Sequence, residues 1–395
     1  LLWWLARVWA WLRSGHALSP EKRALRRQKS GLTDLDEALG AFAAGDYKAA
    51  RRHGEHAVKR LEGSAVARII AAQAATSLDD PKSAQAHYEA LANSERGRLI
   101  GLRGQLLEAR RKGEVTKALE LAQKAIAKAP KSAWVLTQAF ELAAQSLQWE
   151  QAQQALNIAV RQGAFSKEEA AKHRSALYYA QAVELEGQGH TTKALQLALK
   201  AHKSAPAFQP AVVLAARLYR AAGQIRKATK LIEAGWKNAP HPSLADIYAV
   251  LKPTENAAAR LNRFEALYAL NPDHRESRLR LAEAAIGCGD SERARVVLDP
   301  LVDQELSARF ARLMLQLLDR EGADATARAH WSDLAVKGSV EPVWACMNCG
   351  SERSRWVPHC PNCASFNAFE WDHRPSLSIS ASSEDPMKLI ASHTR

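Results

Sequence analysis

Between residues 31 and 340, alanine and leucine recur at i, i+3 and i+4. This is the stripe that an amphipathic helix turns toward a neighbour, and strand-like alternation is scarce. Breakers interrupt the stripes at intervals, so the pattern predicts a succession of short helices. The clearest register is a small residue early in each second helix. Ala50, Ala84, Ala118 and Ala152 are each 34 residues apart, and Ala194 and Ala228 are again 34 apart. Around them run "GDYKAARRHGEHAV", "GEVTKALELAQKAIAKAP", "GHTTKALQLALKAHKSAP", "GQIRKATKLIEAGWKNAP" and "GDSERARVVLDPLV". Each opens on a turn residue, reaches its small residue about five positions later, and carries apolar or small residues four and seven further on. Pro130, Pro206 and Pro240 stop the second helix in several of them.

A 34-residue helix–turn–helix with small residues at the crossing resembles the tetratricopeptide repeat. The expected fold is therefore all-α, a solenoid of about nine helix pairs, with turns near residues 45, 79, 113, 147, 189, 223, 257, 289 and 322. Two places depart from the period. Ala152 and Ala194 are 42 apart, so "RQGAFSKEEAAKHRS" lengthens a helix or inserts a loop, and "LKPTEN" stands where a turn glycine is expected. Stacked helix pairs bury a continuous core and leave a surface that takes extended peptides or protein partners.

Charge changes the picture at the N-terminus. Lys and Arg number 55 against 42 acids, a net +13. Arg7, Arg13, Lys22, Arg23, Arg26, Arg27 and Lys29 face only Glu21 within residues 1–30, so nearly half the excess lies there. The chain opens on "LLWWLARVWAWLR", too short and too interrupted by Arg7 to span a bilayer, which needs about 20 apolar residues. Trp3, Trp4, Trp9 and Trp11 followed by a Lys/Arg cluster reads as the cytoplasmic end of a transmembrane helix. Residues 1–30 are accordingly expected to lie at the membrane, with the repeats on the cytoplasmic side.

Candidate chemistry is concentrated in "WACMNCGSERSRWVPHCPNCASFNAFEW", where Cys346, Cys349, Cys360 and Cys363 form two Cys-x-x-Cys pairs ten residues apart. Disulfides need an oxidising compartment, and a thioredoxin-like pair needs a βαβ setting that neither motif has. Two knuckles on a short ribbon instead bring four thiolates into a tetrahedron, the closed geometry of structural zinc; iron accepts the same cage. Gly350 permits one knuckle turn and Pro361 pre-forms the other. Trp344, Trp356, Phe366, Phe369 and Trp371 are expected to supply the small core of a zinc-ribbon or rubredoxin-like module over residues 341–374. His359 stands outside the ligand set. Cys360-Pro361 also fits a short haem-binding pattern, but a metal knuckle already gives that proline a reason. The serine-rich tail, residues 375–395, reads as disordered.

No phosphate loop, zincin motif or carboxylate pair is present, so the sequence argues for no catalytic residues. Nucleic-acid binding by the ribbon would rest on Arg353 and Arg355, too few for a phosphate track. The order of parts resembles the HemY family, inner-membrane tetratricopeptide proteins associated with haem biosynthesis. The likeness is carried by "EALGAFAAGDYKAARRHGEHAV" and by the terminal four-cysteine run. It implies a bacterial inner-membrane scaffold without established catalytic residues, with haem or porphyrin handling at His53, His56 and His202 resting on the family name alone. The architecture is also similar to that of the lipopolysaccharide assembly protein B, an adaptor with a rubredoxin-like module. A partner could thus be a cytoplasmic protein or a membrane protein, and the module either caps the solenoid or docks a partner.

Overall fold

The structure, a computed structural model, describes residues 20–302, 307–339 and 341–372. The aromatic opening and the serine-rich tail lie outside the described residues. The chain divides into two compact units, 1–164 and 165–395, each taken by itself.

The first unit holds four antiparallel helix pairs: α1 (Pro20–Ala43) with α2 (Tyr47–Arg60), α3 (Ala65–Ser77) with α4 (Pro81–Ala92), α5 (Arg98–Arg111) with α6 (Val115–Lys128), and α7 (Ala133–Gln145) with α8 (Trp149–Arg161). Ala50, Ala84, Ala118 and Ala152 are fully buried at the crossings. Asp46 and Asp80 cap α2 and α4 by accepting from the backbone N–H of Ala49 and Ser83. The turn residues Gly45 and Gly113 take the left-handed conformation that the pattern requires. Asp79 and Leu147 take it too, at φ 54° and 57°, in the two of these four pairs without a turn glycine. The expected boundary at residue 30 falls inside α1, which runs unbroken through it.

The second unit continues with α9 (Lys167–Gly187), α10 (Thr191–Ser204), α11 (Gln209–Ala221), α12 (Ile225–Asn238), α13 (Pro242–Ala249), α14 (Ala257–Tyr268), α15 (Arg275–Cys288), α16 (Ser291–Leu298), α17 (Ala308–Glu321) and α18 (Ala325–Lys337). The 42-residue gap proves to be a lengthened helix: α9 has 21 residues and starts at a capping box between Ser166 and Glu169. In the "LKPTEN" unit the first helix, α13, is cut to 8 residues. A buried ion pair replaces its turn glycine. Arg263 binds Glu255 through Nε (2.9 Å) and Nη2, and its Nη1 donates to the Tyr248 carbonyl at 2.6 Å. The core of this unit centres on Trp236, Tyr248 and Phe310, all essentially inaccessible, and the Trp236 indole N–H donates to Ser277 Oγ.

After α18 comes a three-stranded antiparallel sheet of β1 (Val343–Cys346), β2 (Glu352–Arg353) and β3 (Phe369–Asp372), in the order β2–β1–β3. Arg275 on α15 tethers the approach to it by pairing with Glu341 at 3.2 Å. Burial works against ionisation of Glu341, but hydrogen bonds with Arg275 and Ser307 outweigh it and hold the carboxyl below its usual range.

Close helix approach is testable at α5. A Cβ on Gly101 would lie 2.2 Å from the Ala92 nitrogen, whereas one on Gly40 meets nothing within 4 Å. Gly101→Ala should therefore lower stability by roughly 2 kcal/mol despite alanine's better helix propensity. Gly40→Ala should raise it by about 0.5–1 kcal/mol. Urea unfolding of the two variants checks the opposite signs.

Candidate metal centre and its seat on the helices

The two knuckles are built alike. The Cys346 N–H donates to the Ser351 carbonyl (2.9 Å) and the Gly350 N–H to the Cys346 carbonyl (2.8 Å). In the second knuckle the Cys360 N–H donates to the Ser365 carbonyl (3.0 Å) and the Ala364 N–H to the Cys360 carbonyl (2.8 Å). The residue after each second cysteine turns left-handed, Gly350 at φ 72° and Ala364 at φ 58°. That turn folds the chain back so that amides converge on the sulfurs. Pro361 was the expected conformational device in the second knuckle; the left-handed residue there is Ala364.

All four Sγ atoms lie within 4.8 Å of one another. Cys346 and Cys363 are 3.7 Å apart, and Cys349 and Cys360 3.5 Å. A disulfide would need about 2.05 Å. A tetrahedral ion with bonds of about 2.3 Å to sulfur separates its ligands by about 3.8 Å, so the donor set fits a closed four-thiolate site. Burial pushes the Cys346 thiol up to about 12. Burial also opposes ionisation of Cys363, but hydrogen bonds from Ser365 and Asn348 outweigh it and bring that thiol down to about 6. A cation in the cage would favour the thiolate at every position. His359 stays outside the set, its ring 5.2 Å from Phe366.

The aromatic residues do not simply form the module's own core, because a ribbon this small cannot enclose five of them. Phe369 is buried and Trp344 packs on Trp371 at 5.4 Å, but four rings also reach into the second unit's helices. Trp356 meets Tyr179 of α9 at 5.2 Å and Phe208, just before α11, at 4.9 Å. Phe366 stacks 6.4 Å from His173 of α9, and the Asn367 amide lies 3.3 Å from the same imidazole. Trp344 and Trp371 flank His241, the N-cap of α13, at 5.6 and 4.2 Å. The module thus sits on α9, α11 and α13, the first helices of three successive pairs. A cavity of about 560 Å³ remains beside it. Its walls include Val213, Leu214 and Ile247 together with Arg217 and Asp246 on the helices, and Trp356 and Arg355 on the inter-knuckle loop.

The other candidate residues do not gather with one another, although His53 lies with Asp34 and Glu37, their ligand atoms within 4.8 Å. His53 and His56 share α2 with ring centroids 6.5 Å apart, and His53 Nδ1 lies 2.8 Å from the Glu37 carboxylate. His202 lies on α10, where burial lowers its basicity. Arg353 is in β2, and Arg355, on the loop, faces the cavity. Cys288 ends α15, partly buried. Sequence reasoning missed His173, Tyr179, Phe208 and His241. Phe208 and His241 stand at the start of successive first helices, but His173 and Tyr179 lie within α9 and give no such signal.

Residues 1–79 match a family model described as the HemY protein N-terminus, and residues 255–317 match one described as a tetratricopeptide repeat. The probable magnetosome protein Mms48 of Magnetospirillum gryphiswaldense is 29% identical over 235 residues, 59% of this chain and 52% of that protein. The chain thus spans about half the length of the curated relative it matches. A solved structure of Naa15/Naa10 bound to HypK-THB covers 80% of this chain and 54% of its own at 12% identity, with a TM-score of 0.48. A tetratricopeptide repeat protein from Parabacteroides merdae covers 64% and 93% at 16% identity, with a TM-score of 0.28. Likenesses of that size carry no argument about this chain.

Two predictions follow from this geometry. Ala364 is exposed and left-handed, so Ala364→Gly should stabilise the module by about 1 kcal/mol, read as a higher chelator concentration or temperature at loss of structure. Burial brings His173 and His241 down to about 4, outweighing the pull of Glu169 and Glu276 respectively. Between pH 6.5 and 4 the unfolded imidazoles bind protons that the folded ones do not, so stability falls as pH falls through that window. The loss should reach on the order of 3 kcal/mol per histidine at pH 4. Acid also releases metal from thiolates, so the readout is the difference between the parent and His241→Phe, which should lose less stability across the window.

Proposed function

The chain resembles the HemY family at its N-terminal region and folds as tetratricopeptide repeats, and from that premise we propose a non-enzymatic scaffold at the bacterial inner membrane, with its repeats facing the cytoplasm. The observation that carries this reading is the seat of the four-cysteine module. It covers part of the first-helix face of the second unit and leaves the cavity beside it, whose apolar walls are joined by Arg217 and Asp246 on the helices and by the exposed Arg355 on the loop. Such a cavity suits a segment of a partner protein that inserts an apolar side chain and presents a carboxylate.

We assign one structural zinc to Cys346, Cys349, Cys360 and Cys363, with iron as the second candidate for the same cage. Four protein thiolates leave no open coordination position, so the ion supplies folding energy rather than chemistry. Because the inter-knuckle loop carries Arg355 and Trp356, holding the knuckles also holds one wall of the cavity. Partner binding is therefore metal-dependent in this account.

Membrane attachment is supported by the HemY-type match and by the aromatic and basic opening of the chain. No helix among the described residues is long and apolar enough to cross a membrane. The association with haem biosynthesis is read as recruitment of protein partners rather than porphyrin binding, because His53 is engaged by Glu37 and His202 is half-buried. The likeness to the lipopolysaccharide assembly adaptor gives the second reading, in which the partners belong to envelope assembly.

Affinity capture of the full-length protein from its native membranes tests the scaffold. Partners recovered with the parent should be lost with Cys346→Ser/Cys349→Ser and reduced at least tenfold with Arg355→Glu. Unchanged recovery with both variants would sink the metal-dependent site. Elemental analysis should find one zinc per chain, and an iron site would show itself by visible absorption. Titration with haem should leave the Soret band of free haem unchanged.

A further inference from the structure

Helix α1, 24 residues long, outruns its partner α2. Gly31, Asp34 and Ala38 are covered, yet every residue from 20 to 30 is exposed. Along the open side Leu25, Leu32 and Leu39 stand at seven-residue intervals, 67%, 49% and 46% exposed, with Leu35 and Phe42 half-buried beside them. Leucine at seven-residue intervals supplies one of the two seam positions of a two-helix coiled coil, and Leu35 and Phe42 stand at the other. Scattered exposed leucines need no explanation, but a line of them on one helix marks a contact surface.

Charge decides what covers the seam. The first half of α1 carries Lys22, Arg23, Arg26, Arg27 and Lys29 against Glu21 alone, and the second half carries Asp34, Asp36 and Glu37. An anionic lipid surface would attract the first half and repel the second. A parallel copy would set basic half beside basic half. An antiparallel copy matches both halves at once. Within the chain Arg27 already pairs with Glu62, Asp34 with Arg60 and Glu37 with His53. Lys29 and Asp36 form no ion pair among the described residues. Seven residues apart, they flank the leucine seam on the same side.

We propose that α1 pairs antiparallel with α1 of a second copy of this chain, about a two-fold axis at Leu32. Leu25 then meets Leu39 of the partner subunit, and Leu32 meets its own counterpart. Lys29 faces Asp36 of the partner subunit, and the symmetry makes that pair twice. The Lys29 stem covers the edge of the seam while its ammonium reaches the carboxylate.

Cysteine cross-linking of the full chain in a Cys288→Ser background reads the register directly, because the remaining cysteines lie in the metal module. Leu32→Cys should cross-link to its own copy under mild oxidation. Leu25→Cys mixed with Leu39→Cys should cross-link between the two kinds, while Leu25→Cys alone should not. Asp36→Lys should weaken self-association roughly tenfold by sedimentation velocity, and Lys29→Asp/Asp36→Lys should restore it. Self-cross-linking of Leu25→Cys would overturn the antiparallel register. A monomer that cross-links at no position would overturn the dimer. If that monomer bound phosphatidylglycerol vesicles in proportion to Leu32 burial, the seam would belong to a membrane surface instead.

Discussion

Burial of small apolar side chains between adjacent helices is the interaction on which this protein depends. Most of its helices have 12–14 residues, a length that is marginal in water by itself. Alanine at each crossing lets two of them approach closely enough to remove both stripes from water. Where the approach is closest the chain uses glycine, as at Gly101 and Gly104 against α4. No element is self-sufficient, so every exposed apolar face asks for a neighbour.

The four-cysteine module obeys the same constraint. Three short strands and two knuckles cannot enclose five large aromatic rings, and below about 40 residues such a module needs a metal to fold. Its sulfur cage draws the knuckles together, and its surplus rings turn outward onto Tyr179, Phe208, His173 and His241. Folding the module and covering the face of α9, α11 and α13 are therefore one event. In the proposed scaffold, this places the candidate metal-dependent element on the surface that repeats of this kind use for recognition.

Much of the fold was legible because periodicity reports on burial. The alanine register gave the pairs, and eight of the nine turn positions read from the sequence fall between the paired helices; the ninth, residue 257, is instead the first residue of α14. The turns at Asp79 and Leu147 were harder, since a residue with a side chain there hides the left-handed conformation that glycine advertises. The unit at α13 was obscured because Arg263 and Glu255 replace a turn glycine by an ion pair between residues 8 apart. The cysteine cluster was legible from spacing alone. Its seat was not, because ring contacts such as Phe366 with His173 join residues almost two hundred positions apart and leave no local pattern.

Amide hydrogen exchange with the metal present and after its removal addresses the central claim most directly. If the cage seats the module, removal should raise exchange across residues 343–372 and also in α11 and the short helix α13, while α15 and α17 keep their protection. Loss of protection confined to residues 343–372, with α11 and α13 unchanged, would contradict the account by showing that the module and the helix face beneath it are independent.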